Sequence, residues 1–191
     1  MSGYVYEWRE DTDKFSILRV ASKEDRRGLM MKGKAHCQTL DRPIQLERVE
    51  DNGRLQPLAD LACTGMSQPK FVSERGWQAI SKFLSGSGSD FPAVVVDSGD
   101  PYRIWFPDVV ADCLVEDQSE FFESLSDYRS ILKAVFNREI MPEDIPFTVK
   151  NFERHQVWVH KHFVTAARNA KLTGGVFSRK ARVVVKTSID H

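Results

Sequence analysis

The residues best suited to chemistry are His160 and His162, one residue apart in VWVHKHFVTAARNAKLTGGVF, Val157 to Phe177. On a strand, residues two apart face the same side, so this pair could share a metal ion. A zinc site needs a third and usually a fourth protein ligand, and neither HExxH nor CxxC accompanies the pair. His155 falls on the opposite alternation if the strand is unbroken. The spacing therefore predicts no metal site, and the two histidines read as decoration of a helix start. Ser73 sits in VSERG, which lacks the GxSxG turn that exposes a serine nucleophile, so a helix-capping role is expected. The SGSGS stretch, Ser85 to Ser89, has no GKS or GKT ending and follows a helical pattern instead of opening one; it reads as a connection, not a phosphate loop. DSGD, Asp97 to Asp100, reads as a turn and lacks the further carboxylates of a calcium loop. Neither an enzyme nor a cofactor is predicted.

Charge gives a second set of candidates. The formal net charge is zero, yet from Asp108 to Asp127 the chain has seven acids and no Lys or Arg, while Lys150 to Lys186 holds nine bases against Glu153. Concentrated acid is what a protein would present to a basic partner. Asp108, Asp112, Glu116, Asp117, Glu120 and Glu123 are therefore the expected partner-binding residues, with Trp105 as a candidate anchor. In SRKARVVVK the residues Lys180, Arg182 and Lys186 share one strand face, opposite Phe177, Ala181, Val183 and Val185 together with Arg179. A cationic face can bind phosphates, but no stacking aromatics interleave with these bases, which argues against nucleic acid.

Elements must hold these residues in place. YVYEW, FSILRV and IQLERV have the β-branched and aromatic content of strands, with Asn52-Gly53 a turn after the third. Residues from Lys23 to Pro43 give no clear pattern and read as loop with possible short elements. KFVSERGWQAISKFL reads as an extended apolar pair, a Ser73 cap and a helix with Trp77, Ile80 and Phe83 or Leu84 on one face, stopping near Gly86; AVVVD follows as a buried strand. The segment from Val157 repeats this plan: an extended VWV, a helix with Phe163, Val164, Ala167 and Leu172 as its apolar stripe, a stop at Gly174, and one strand over Val176–Lys186. VSERGWQAI and VHKHFVTAA align without gaps, and LSG answers LTG one residue later. Between the two units, YRIWFPDVV reads as a strand bent at Pro107. Ser119 is expected to cap a short helix over EFFESL, SILKAVF fits helix or strand, and PFTVKN is a short strand.

At 191 residues, with 41% hydrophobic and 28% charged residues, the chain fits one globular domain; the first 56 residues could form an N-terminal β lobe. The expected class is α+β, a mixed and mostly antiparallel sheet with two strand–helix–strand units. MSGYVYEWREDTDK has no apolar core after a basic start, no apolar run reaches membrane-spanning length, and Cys37, Cys63 and Cys113 are widely spaced. A cytoplasmic location without membrane attachment is expected.

In order and spacing, several of these stretches resemble a known family. PLADLACTGMSQPKFVSERGWQAI is similar to the central signature of the bacterial immunity protein family of polymorphic toxin systems usually numbered eleven. VVADCLVEDQSEF is similar to its Val-Asp-Cys-Leu segment with following acids, and IPFTVKNFERHQVWVHKHFVTAARNAKLTGGVF to its last block. The resemblance runs from about Pro57 to Val183. It departs at His160-Lys161-His162, where the family pattern more often has Ser-Glu-Arg, and at Ala111, where valine is usual. The resemblance implies a cytoplasmic protein that binds a cognate bacterial toxin domain and occludes its active site, and it tips SILKAVF toward strand. The readings held against it are a small histidine- or metal-dependent enzyme and a nucleic-acid-binding module using the basic C-terminal strand.

Overall fold

The computed structural model describes residues 4–50, 54–64, 68–123, 129–153 and 156–185. In chain order the elements are β1 (Val5–Glu10), β2 (Ile17–Val20), α1 (Lys23–Lys32), α2 (Lys34–Cys37), β3 (Ile44–Val49), β4 (Leu61–Ala62), β5 (Lys70–Ser73) and α3 (Glu74–Leu84). There follow β6 (Gly88–Val95), β7 (Pro101–Pro107), β8 (Val110–Ala111), β9 (Glu120–Glu123), β10 (Arg129–Asn137), β11 (Thr148–Val149), β12 (Val157–His160), α4 (Lys161–Asn169), β13 (Gly175–Ser178) and β14 (Ala181–Val184).

Six strands form one sheet in the order β2-β3-β6-β7-β5-β4. A second sheet has the order β12-β1-β13, a third β14-β10-β9, and β8 pairs with β11. Only the pairings β10–β14, β8–β11 and β3–β6 are parallel; the other seven among the described residues are antiparallel. The protein is α+β, with the two strand–helix–strand units expected: β5–α3–β6 and β12–α4–β13. The first 56 residues share sheets with the remainder, since β1 lies between β12 and β13 and β3 lies beside β6.

Aromatic side chains fill the space between the two units. Trp8 on β1 stacks on Trp105 of β7 at 6.1 Å and meets Phe163 of α4 at 5.1 Å; Phe163 also meets Phe83 of α3 at 5.7 Å. Burial of rings of this size supplies much of a core's stabilisation, about 1.5–3 kcal/mol for each side chain removed from water. A second cluster lies around Leu18, Leu46, Phe71 and Ile104 of the six-stranded sheet, and a third around Phe136, Phe147 and Trp158 between the two smaller sheets.

Several local expectations need correction. Lys23 to Cys37 is helical: Ser22 caps α1 by accepting from the Asp25 amide, a Ser-x-x-Asp spacing that the sequence displays. Asp25 is buried, and its carboxylate receives Arg42 at 2.8 Å and lies 3.1 Å from His36 Nε2, so it fastens both helices and the following loop. Ser119 caps no helix. Glu120–Glu123 is strand β9 because Phe121 turns inward to stack on Phe152 at 5.7 Å, an alternation that a helix would break. Gly88 of the supposed connection already belongs to β6, where a Cβ would lie 2.3 Å from Trp105 Nε1. The C-terminal strand is two strands, β13 beside β1 and β14 beside β10, with the break at Arg179 and Lys180. Val185, expected on the apolar face, is 59% exposed. The Asn52-Gly53 turn lies outside the described residues.

Helix α4 ends at Asn169, before Gly174, and Lys171 turns the chain at φ 51°. Gly174 has another task. It holds φ 81°, and a Cβ there would stand 2.4 Å from Ala59 Cβ and 2.6 Å from the Leu61 carbonyl oxygen. Gly174→Ala combines left-handed backbone strain with overpacking, and should cost about 2–4 kcal/mol in urea unfolding. A loss below about 0.5 kcal/mol would show that the two loops do not approach so closely.

Candidate partner-binding surfaces

Three segments far apart in sequence meet at Asp60. Its Oδ1 accepts from Ser73 Oγ at 2.8 Å and Arg75 Nε at 2.9 Å. Its Oδ2 accepts from a second Arg75 nitrogen, from the Thr173 amide at 2.9 Å and from Thr173 Oγ1 at 2.9 Å. The backbone joins in: the Ser73 amide donates to the Asp60 carbonyl at 2.8 Å and the Leu61 amide to the Thr173 carbonyl at 3.0 Å. Ser73 caps α3 as expected, accepting from the Gly76 amide at 3.0 Å while donating to Asp60. Burial pushes the Asp60 carboxyl up, but Arg75, the Thr173 amide and the two hydroxyls outweigh it and hold it at about 2. A cleft of about 390 Å³ opens beside this node, walled by Glu74, Asp100 and Tyr102 among others. With both carboxylate oxygens occupied, Asp60 is a structural tie. The sequence displays its partners as the polar positions of ADL, SER and LTG, but Asp60, Arg75 and Thr173 escaped because pattern alone does not pair residues 113 positions apart.

The histidines part company. His160 has the extended backbone of an N-cap but makes no capping bond; it is 8% exposed, with its ring 5.9 Å from Phe147. Burial lowers its pKa below the ordinary value, against the pull of Asp144 and of the Pro142 carbonyl. His162 is exposed and sets its Nδ1 2.8 Å from Asp144 Oδ1, an aspartate held at φ 53°. One ring is buried and the other exposed, and His155 lies outside the described residues. Among the described residues no three His, Cys, Asp or Glu side chains stand close enough to hold a metal ion.

The acidic segment is largely answered by lysines. Asp108 accepts from Lys34 at 2.5 Å and from Ser89 at 2.6 Å; burial raises its carboxyl, and these two contacts more than reverse that. Asp112 pairs with Lys150 at 2.7 Å and Glu120 with Lys133 at 2.8 Å. Glu116 and Asp117 stand exposed in a single 3-10 turn, beside Gln118, which accepts from Arg182 at 3.2 Å. The side chain of Glu123, like all of Asp127, lies outside the described set. Exposed pairs of this kind contribute only about 0–1 kcal/mol to stability, but each cancels most of its partner's field beyond a few ångströms. Trp105 is no surface anchor. It is fully buried, and its Nε1 donates to the Leu84 carbonyl at 3.1 Å, because β7 runs through the middle of the six-stranded sheet.

The basic segment is divided. Lys150 answers Asp112, Lys180 answers Glu7 at 3.0 Å, Arg182 reaches Gln118, and Arg179 covers the Tyr4 ring at 3.6 Å. The break at Lys180 therefore destroys the single cationic strand face expected here; Arg154 and Lys186 lie outside the described residues. Among those described, no helix is long and apolar enough to cross a membrane.

Two pH responses follow, of opposite chemical origin. The Asp60 carboxyl lies lower in the folded chain, at about 2, than the ordinary aspartate value of 3.8, so its stabilisation is present above pH 4 and is lost as pH falls toward 2. Asp60→Asn should lower stability at pH 7 by about 2 kcal/mol and flatten the acid limb of the unfolding curve between pH 4 and 2; an unchanged limb would remove Asp60 from the account. His160 is held neutral, so protonation favours the unfolded chain, and stability falls as pH drops below the ordinary histidine value near 6.5. Urea midpoints at pH 7.5 and 5.5 should differ more for the wild type than for His160→Gln. Equal differences would mean that His160 is not the source.

No protein-family model matches the chain, and no curated protein matches it either.

Proposed function

We propose that this protein is an inhibitor of the immunity type, which binds a cognate bacterial toxin domain in the cytoplasm and blocks the toxin by covering its active site. The observation that carries the reading is the convergence at Asp60. The resemblance rests on short motifs scattered from Pro57 to Val183, and three of them, ADL, SER and LTG, meet through Asp60, Ser73, Arg75 and Thr173. A chance likeness in such motifs has no reason to assemble into one bonded node. Surface occlusion of this kind typically buries about 1,200–2,000 Å² in total, with a few anchors dominating the affinity.

Affinity capture of the tagged full chain from its native host, with the neighbouring toxin gene expressed, tests the proposal. One toxin domain retained in stoichiometric amount, and losing its activity when the purified chain is added, is the expected result. A chain recovered without a partner while the toxin is present and active would overturn it. Reversal of Asp112, Asp117 and Glu120 to lysine then examines the acidic segment: a contact role predicts weaker capture and a changed salt dependence.

A further inference from the structure

Among the described residues, several exposed cations without an ion pair lie on or next to α3 and α4. A groove of about 620 Å³ runs between them, lined by Lys82 and Phe83 of α3, by His162, Thr165 and Asn169 of α4, and by Asp144 of the loop before β11. Lys82 is the cation in its lining; Lys161 and Arg168 are exposed on α4 and Lys171 just after it, and among the described residues none of the four makes an ion pair. Lys82 instead covers the Phe83 ring at 4.9 Å. The 3.6-residue period of α4 puts Lys161, Thr165 and Arg168 on one outward stripe, next to the His162 and Asn169 row. This contrasts with Asp108, Asp112 and Glu120, each already faced by a lysine. Phe83, Ile145 and Ala166 give the groove apolar wall and floor between these cations.

We infer that the α3/α4 groove is a docking surface for an acidic polypeptide segment of the partner, with carboxylates meeting Lys82, Lys161 and Arg168 and an apolar side chain entering over Ile145 and Ala166. Charge complementarity selects the sign of the occupant. Two features select polypeptide over nucleic acid. Phe83 is 8% exposed and offers no open ring face for a base. Asp144 sits on the groove wall, where a phosphodiester run would meet it at every register, whereas a polypeptide can place a donor there. The inference deepens the inhibitor reading and rests on it for who the partner is; the sign and shape of the groove rest on its own residues.

The test uses the full chain and a fluorescein-labelled nine-residue peptide of glutamates around a central leucine. Controls are the same peptide with lysines in place of glutamates and a single-stranded DNA oligonucleotide of equal charge. Anisotropy titration at low salt should show binding of the acidic peptide alone, with amide shifts at Lys82, Thr165 and Asn169. Lys82→Glu together with Arg168→Glu should weaken it by about tenfold or more, while Lys133→Glu on the far sheet should not. Thermal melting of each variant confirms that it is folded. Absence of acidic-peptide binding, insensitivity to the groove variants, or tighter binding of the oligonucleotide would each overturn the inference. If the peptide binds in the groove but the wild type captures no toxin, the inhibitor reading fails and the groove stands. If toxin capture survives in the doubly reversed chain, the groove fails and the inhibitor reading stands.

Discussion

A carboxylate withdrawn from water must find charge and donors of its own, and Asp60 finds them in two places at once. Arg75 and Ser73 come from the start of the first helix, and the Thr173 amide and hydroxyl from the turn after the second. The contact therefore fixes how the two strand–helix–strand units sit against each other. Removing any one partner leaves the other donors around an ion whose burial is no longer compensated, which is the costly half of such an arrangement. The aromatic packing of Trp8, Phe83, Trp105 and Phe163 supplies bulk between the units but little direction. The node supplies the direction. Gly174, pressed against Ala59 and Leu61, is the local condition for it, since a side chain there would hold the Thr173 turn away from Asp60.

Much of the architecture was legible because it depends on local period and capping. The two units were visible from Ser73, from the apolar stripes Trp77–Ile80–Phe83 and Phe163–Val164–Ala167, and from the extended residues before each helix. The α+β class followed. What failed depends on distant partners. Ser119 looked like a cap because acids follow it, but its hydroxyl instead donates to the Val115 carbonyl and accepts from the Val135 amide, tying it to a strand 16 residues on. VFSRKARVVVK looked like one strand because nothing local breaks it, yet its halves pair with β1 and β10. Trp105 was a candidate anchor for a partner and His160 read as decoration of a helix start, and burial claimed both.

The zero net charge hides an internal arrangement of the same kind. The acidic and basic segments cannot be recognised as mutual neighbours from their positions in the chain. In the fold Lys150 lies on Asp112, Lys34 on Asp108 and Lys133 on Glu120, so the strongest cluster in the sequence is the weaker one on the surface. The cations of α3 and α4 that make no ion pair among the described residues are spread along the chain from Lys82 to Lys171 and form no run that a sequence reading would single out.

The position of β1 has a consequence for how the chain is made. It is made before the other described strands and is the middle strand of its sheet, and both of its neighbours, β12 and β13, lie in Val157–Ser178. At about 5–20 residues per second, the ribosome needs on the order of ten seconds or more to deliver them. Until then Val5 and Trp8, both buried in the finished molecule, have no sheet to enter, and the bare strand is of the kind that chaperones hold and that pairs with the wrong chain when they do not. The Asp60 node completes at Thr173, also near the end of this wait. An elongating chain can thus build much of the six-stranded sheet, whose strands all lie before Asp108, but it cannot close the molecule. A nascent chain interrupted before residue 157 would leave Asp60 without its Thr173 donors and β1 without either neighbour, two marks by which quality control could distinguish it from the finished protein.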